Sequence, residues 1–177
     1  MGAALFWKRL VQDRQGLALV EFAIIAPLFL LMFLSGYVLF DALSANRKVT
    51  TVARTVADLT TRYSSVTSSD LSTIMAASTQ ILWPYSSSHA TVRVSQLLVA
   101  SGTSATVVWS QAQNTTARSV GSTVTIPSGL ADTGSYLVLG EAGYAYTAPI
   151  SYRGFSTMTL SQSIFMVPRK SSSIPLS

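Results

Sequence analysis

Glu21 is the one formally charged side chain between positions 17 and 40, with Leu17-Ala18-Leu19-Val20 before it and Phe22-Ala23-Ile24-Ile25-Ala26 after it. An ionised carboxylate in hydrocarbon costs on the order of 3 kcal/mol, so its place in such a run calls for a partner. The other side chains that could do chemistry are sparse. His89 is the only histidine of the chain and follows Ser87 and Ser88. A serine nucleophile needs a base within hydrogen-bond reach. In a chain this rich in serine the adjacency carries little information, so a solvated loop histidine outweighs a membrane-anchored hydrolase centred on His89. Asp58, Asp70, Asp132 and Glu141 are scattered, and they make neither a carboxylate pair nor a metal site. Gly134, Gly140 and Gly143 have no helix opening behind them, so they are not a phosphate-binding loop. The absence of cysteine removes disulfides, thiolate catalysis and Cys-based metal sites. No catalytic residue, metal or cofactor is expected.

The elements around Glu21 say more. Residues 17–40 are apolar and long enough to cross a bilayer as a helix, for which about 20 residues suffice. Lys8, Arg9 and Arg14, set against Asp13, precede the run, which is the layout of a secretory or anchor signal. A cleaved signal would have an apolar region of about 7–15 residues. Residues 22–40 alone number 19, so an uncleaved anchor is the stronger reading, although Ala42-Leu43-Ser44 offers a small-x-small site. Three cations lie before the span, and Arg47, Lys48 and Arg54 lie soon after it, so on charge alone the orientation is open. The net charge of +5 is spread along all 177 residues without a clustered footprint, so nucleic-acid binding is not expected.

Arg14-Gln15-Gly16, then Leu17-Ala18-Leu19-Val20-Glu21-Phe22-Ala23 and Ala26-Pro27, resembles the start of TadE-like proteins, the minor pilins (pseudopilins) of the tight-adherence (Flp) pilus. The resemblance implies a prepilin: residues 1–16 are a basic leader, and an aspartic prepilin peptidase cuts between Gly16 and Leu17. Glu21 then becomes the fifth residue of the mature protein, where the pilin pattern wants glutamate. Such a cut would free an amine at Leu17, four residues from Glu21 at about 1.5 Å of helix rise each. Among staggered helices, the amine of one subunit can meet the carboxylate of another and set the register between neighbours. The alternative is that Glu21 snorkels to the headgroups. Pro27 removes a backbone donor, and it either bends the helix, as in pilin-type helices, or is a tolerated membrane proline.

Beyond the span, Val49, Val52, Val56 and Leu59 recur at helical spacing and predict a helix from Asp41 to about Tyr63 whose stripe receives a sheet. A second helix is expected from about Asp70 to Leu82, capped by Ser69 or Ser68 and ended by Trp83-Pro84. Trp83 either packs under the following loop or forms an exposed contact patch, and packing is the stronger reading. From Ala90 the pattern turns to strands. A hairpin spans Thr91–Trp109 around Ser101–Ser104, Val124–Leu130 is a short extended piece, Tyr136–Tyr146 is a central strand, and residues 155–167 are the last strand. Gly140 and Gly143 mark a bulge or a close backbone approach. Residues 171–177 read as a loose tail. Glu141, Tyr144, Tyr146 and Pro149, followed by Val167-Pro168-Arg169, continue the resemblance to the TadE-like family.

The expected fold is α+β and type IV pilin-like: a long N-terminal transmembrane helix packed on a roughly four-stranded antiparallel sheet with one additional short helix. Its parts are the leader 1–16, the span 17–40, the head 41–170 and the tail 171–177. The resemblance implies a minor pilin of a bacterial inner membrane with its head in the periplasm, recruited through its N-terminal helix to initiate, cap or support the pilus. Its partners would be a prepilin peptidase, other major and minor pilins, the inner-membrane assembly platform and the lipid bilayer. The competing reading is a single-pass anchored periplasmic binding or adhesion module that never enters a filament.

Overall fold

The computed structural model describes residues 14–150 and 157–177. The greater part of the expected leader and the start of the last strand at Phe155 lie outside the described residues. The fold is α+β and pilin-like. A long helix, α1 (Arg14–Thr61), is followed by a short helix α2 (Ser68–Thr79) and 3-10 turns at Gln80–Leu82 and Ser87–His89. Five strands follow: β1 (Ala90–Ser101), β2 (Ser104–Gln113), β3 (Thr123–Thr125), β4 (Tyr136–Tyr146) and β5 (Met158–Met166). The chain divides into two compact units, Met1–Asp41 and Ala42–Ser177.

In the second unit the strands make one antiparallel sheet in the order β3-β2-β1-β4-β5. The sheet has five strands rather than four, because the short extended piece at Val124 joins β2 through the pair Ala105↔Val124. The register of β1 against β2 shifts between Gln96 and Leu97, which leaves Val108 as an extra residue and bends the hairpin.

The head portion of α1 lies on one face of the sheet. Ala45, Val49, Val52, Ala53, Val56 and Ala57 are buried at three- and four-residue spacing. Leu59, expected in this stripe, is only half-buried, and Thr60 and Thr61 are buried in its place. Their hydroxyls are satisfied inside the helix, Thr60 donating to the Val56 carbonyl at 2.8 Å and Thr61 to that of Asp58 at 2.7 Å. Burial therefore leaves these hydroxyls hydrogen-bonded.

Gly140 explains how closely α1 approaches. A Cβ at this position would stand 2.9 Å from the Ala57 Cβ and would also collide with the Ala53 carbonyl. The strand registers pass through Gly140 and Gly143 without a shift, so these glycines mark close approach and not a bulge. A second apolar cluster covers the opposite face of the sheet, where Leu97, Val107, Leu137 and Leu139 pack with Val124 and Ile126.

Three further expectations are corrected. Helix α2 begins earlier than expected, because Thr67 is its N-cap and closes a capping box with Asp70. It also ends at Thr79, and a 3-10 turn carries the chain to Leu82. Trp83 does not pack under the loop: it is 79% exposed while Leu82 is buried beside it. The segment 171–177 is not loose. Ile174 is fully buried, Val66 pairs with Leu176, and the Trp109 indole donates to the Ile174 carbonyl at 2.7 Å.

Candidate functional site: the N-terminal apolar helix

From Gly16 to Phe40 the residues of α1 are exposed among the described residues, apart from the half-exposed Ala26, Leu34 and Val38. Leu17, Leu19, Phe22, Phe29 and Phe33 are all exposed, Phe22 at 70%. The helix is long and apolar enough to cross a membrane, and its most apolar window has no part buried within the protein. A continuous apolar surface of this extent marks an interaction or membrane surface, since water-soluble surfaces do not keep one.

Each expected site residue has a place on this helix. Gly16 lies near its start, with open space where a Cβ would project. Leu17 opens the apolar run and is 59% exposed. Glu21 follows by just over one turn and is exposed next to Phe22. Among the described residues no cation stands within ion-pair distance of Glu21. Pro27 lies inside a helix assigned without interruption from Arg14 to Thr61. The structure thus puts Gly16, Leu17, Glu21, Phe22 and Pro27 in sequence along one helix, each open to its surroundings.

The head carries a second polar constellation that sequence reasoning did not assemble. Glu141 on β4 receives Arg118 through both oxygens, at 2.9 and 2.8 Å, and Arg93 on β1 at 3.3 Å. Arg93 also donates to the Thr116 carbonyl at 2.9 Å, and the Arg118 amide donates to the Ser110 hydroxyl at 3.0 Å. Burial pushes the Glu141 carboxyl up, but the hydrogen bond and charge of Arg118, followed by those of Arg93, outweigh it and leave the group below its ordinary value. The Arg118 guanidinium is raised by the same hydrogen bond. The bidentate pair staples the loop 114–122 to the sheet face opposite α1. Only the antiparallel register Arg93↔Glu141 makes this visible; the sequence signal was an arginine alternating with Val92 and Val94.

A shallow groove of about 290 Å³ runs beside this pair, lined by Thr91, Gly143, Thr159, Ser161 and Ser163. His89 lies against the Tyr144 ring, with centroids 6.4 Å apart, while the hydroxyls of Ser86 and Ser88 engage each other at 2.8 Å. Asp58 is held by Arg62 and by Arg169, the latter at 2.8 Å. Among the described residues no cluster of three or more metal-ligating side chains occurs.

Comparison with known families finds a match over α1. Residues 16–58 match the model of the TadE-like protein family. The TadE-like segment begins at Gly16, covers the exposed apolar helix with Glu21 and Pro27, and runs into the buried stripe ending near Ala57. No curated protein and no solved structure matches the chain.

Proposed function

We propose that this protein is a minor pilin of a tight-adherence pilus. A prepilin peptidase removes its leader after Gly16, and the exposed N-terminal helix carries it from the inner membrane into the pilus, where it initiates, caps or supports assembly. The observation that carries this reading is the TadE-like match over a helix whose apolar surface is left uncovered among the described residues. A structural role fits that family, and the head's polar clusters are ion pairs that fasten loops.

The chemistry follows from the exposed helix. Residues 17–40 lie in the bilayer, with the head on the periplasmic side. Cleavage creates a cation at Leu17, and the carboxylate of Glu21 in a neighbouring pilin supplies the opposite charge. At low dielectric either charge alone is strongly penalised, so the subunits align to bring the two together. Phe22 and the apolar side chains around it pack against neighbouring helices, and Pro27 frees one carbonyl of the helix ladder at a point where local bending is tolerated. The partners are the peptidase, the other major and minor pilins, the assembly platform and the lipid bilayer.

The test is the mature N-terminus after co-expression with a prepilin peptidase. Sequencing is expected to read Leu-Ala-Leu-Val-Glu. An intact Met1, or a start at Ala45, overturns the proposal and leaves a tethered head.

A further inference from the structure

The second unit begins at Ala42, directly after the apolar run, and one end of its sheet lies at this entrance. Asn46 accepts a hydrogen bond from Gln162, four residues into β5, at 3.2 Å, while Ala53 and Ala57, further along α1, face Gly140. The end of the head where β4 finishes and β5 starts is therefore the end where α1 enters. The pair Tyr146↔Met158 belongs to this end, and so does the start of β1, because Ala90 pairs with Tyr144.

The 3-10 turn after α2 reaches the same end. The Lys48 ammonium donates to the Ile81 carbonyl at 3.3 Å, and Lys48 is six residues from Ala42, roughly 9 Å of helix. Helix α2 and its turn run from Val66, which pairs with Leu176, to this level, and Trp83 lies between Ile81 and Tyr85, whose ring packs against those of Tyr144 and Tyr146. Trp83 is the most exposed large apolar side chain among the described residues, at 79%. Leu43 and Met158, each about half exposed, share this end, and the exposed Arg47 follows Leu43 by about one helical turn.

We propose that this rim, with Trp83 as its anchor, docks on the headgroup region of the bilayer before assembly. The inference rests on the reading that residues 17–40 span the membrane. Indole rings favour the membrane–water interface because an apolar body and a polar N–H are both satisfied there. Arg47 and the nearby Lys48 add attraction to anionic headgroups. Extraction into a filament then has to lift Trp83 out of the interface, which makes the rim a brake on release from the membrane.

The test uses the full chain with Trp7→Phe, reconstituted in vesicles of equal parts phosphatidylcholine and phosphatidylglycerol. The Trp83 contribution is the difference between this protein and the same protein carrying Trp83→Phe, and the buried Trp109 remains as an internal reference. Phosphatidylcholine brominated near the headgroup end of its acyl chains is expected to remove most of the Trp83 emission, while aqueous iodide leaves it largely intact. Washing with alkaline carbonate reads the span separately. If the protein stays with the vesicles and iodide quenches Trp83 freely, docking is overturned and the span stands. Shielding of Trp83 from both quenchers assigns it to a protein neighbour and also overturns docking. Release into the carbonate wash overturns both readings.

Discussion

At the scale of single residues, Glu21 and Gly140 show two different constraints. In the proposed assembly Glu21 answers to an opposite charge in a neighbouring subunit, so Glu21→Gln is expected to leave the protein in the membrane and to abolish or sharply reduce its recovery in sheared pili. Pilus recovery equal to the wild type would remove the charge-pairing argument. Gly140 is constrained by space: a methyl group there meets the backbone of α1 at Ala53 and the side chain of Ala57. Gly140→Ala is expected to destabilise the head by about 1–3 kcal/mol through overpacking, measured as a lower urea midpoint for the detergent-solubilised protein. Gly143 is more forgiving, because a Cβ there meets the Thr91 hydroxyl at 2.5 Å, a side chain that rotates away.

At the scale of elements, the Arg93–Glu141–Arg118 cluster links two strands and a loop. The folded-state value of Glu141 lies below its ordinary 4.5, so the unfolded chain takes up this proton first as the pH falls. The stabilisation is fully present above the ordinary value and is lost as the pH falls from about there through the lowered one. Glu141→Gln is expected to cost on the order of 2 kcal/mol at neutral pH, because two partly buried guanidinium groups lose a charged acceptor. It should also flatten the acid limb of stability, read as thermal midpoint against pH; an acid limb unchanged in the variant would show that other carboxylates govern it. The C-terminal segment acts on the same scale. Ile174 is fully buried and its carbonyl accepts the Trp109 indole. Ile174→Ala is expected to cost about 2–5 kcal/mol, as for other large-to-small core changes, and to red-shift Trp109 emission.

For the whole molecule, the division at Asp41 predicts that a chain starting at Ala42 folds as a water-soluble head with a cooperative thermal transition, because the core of the head is drawn from residues after this point. A molten or aggregated product would show that the apolar helix is needed for folding. Much of this was legible from residue order alone. The apolar run, too long for the core of a signal peptide, marks the helix of the first unit, since a long apolar helix satisfies its own backbone and needs no tertiary partner to be recognised. The buried stripe of α1 and the strands β1, β2 and β4 were also visible, because helical and two-residue periodicities are local signals. The fifth strand, the seating of Ile174, the exposure of Trp83 and the union of Arg93 and Arg118 on Glu141 were not. Each depends on strand register or on which of two apolar neighbours turns inward, as Leu82 does in place of Trp83. Such choices are made by packing between residues far apart in the chain, and only the tertiary structure decided them.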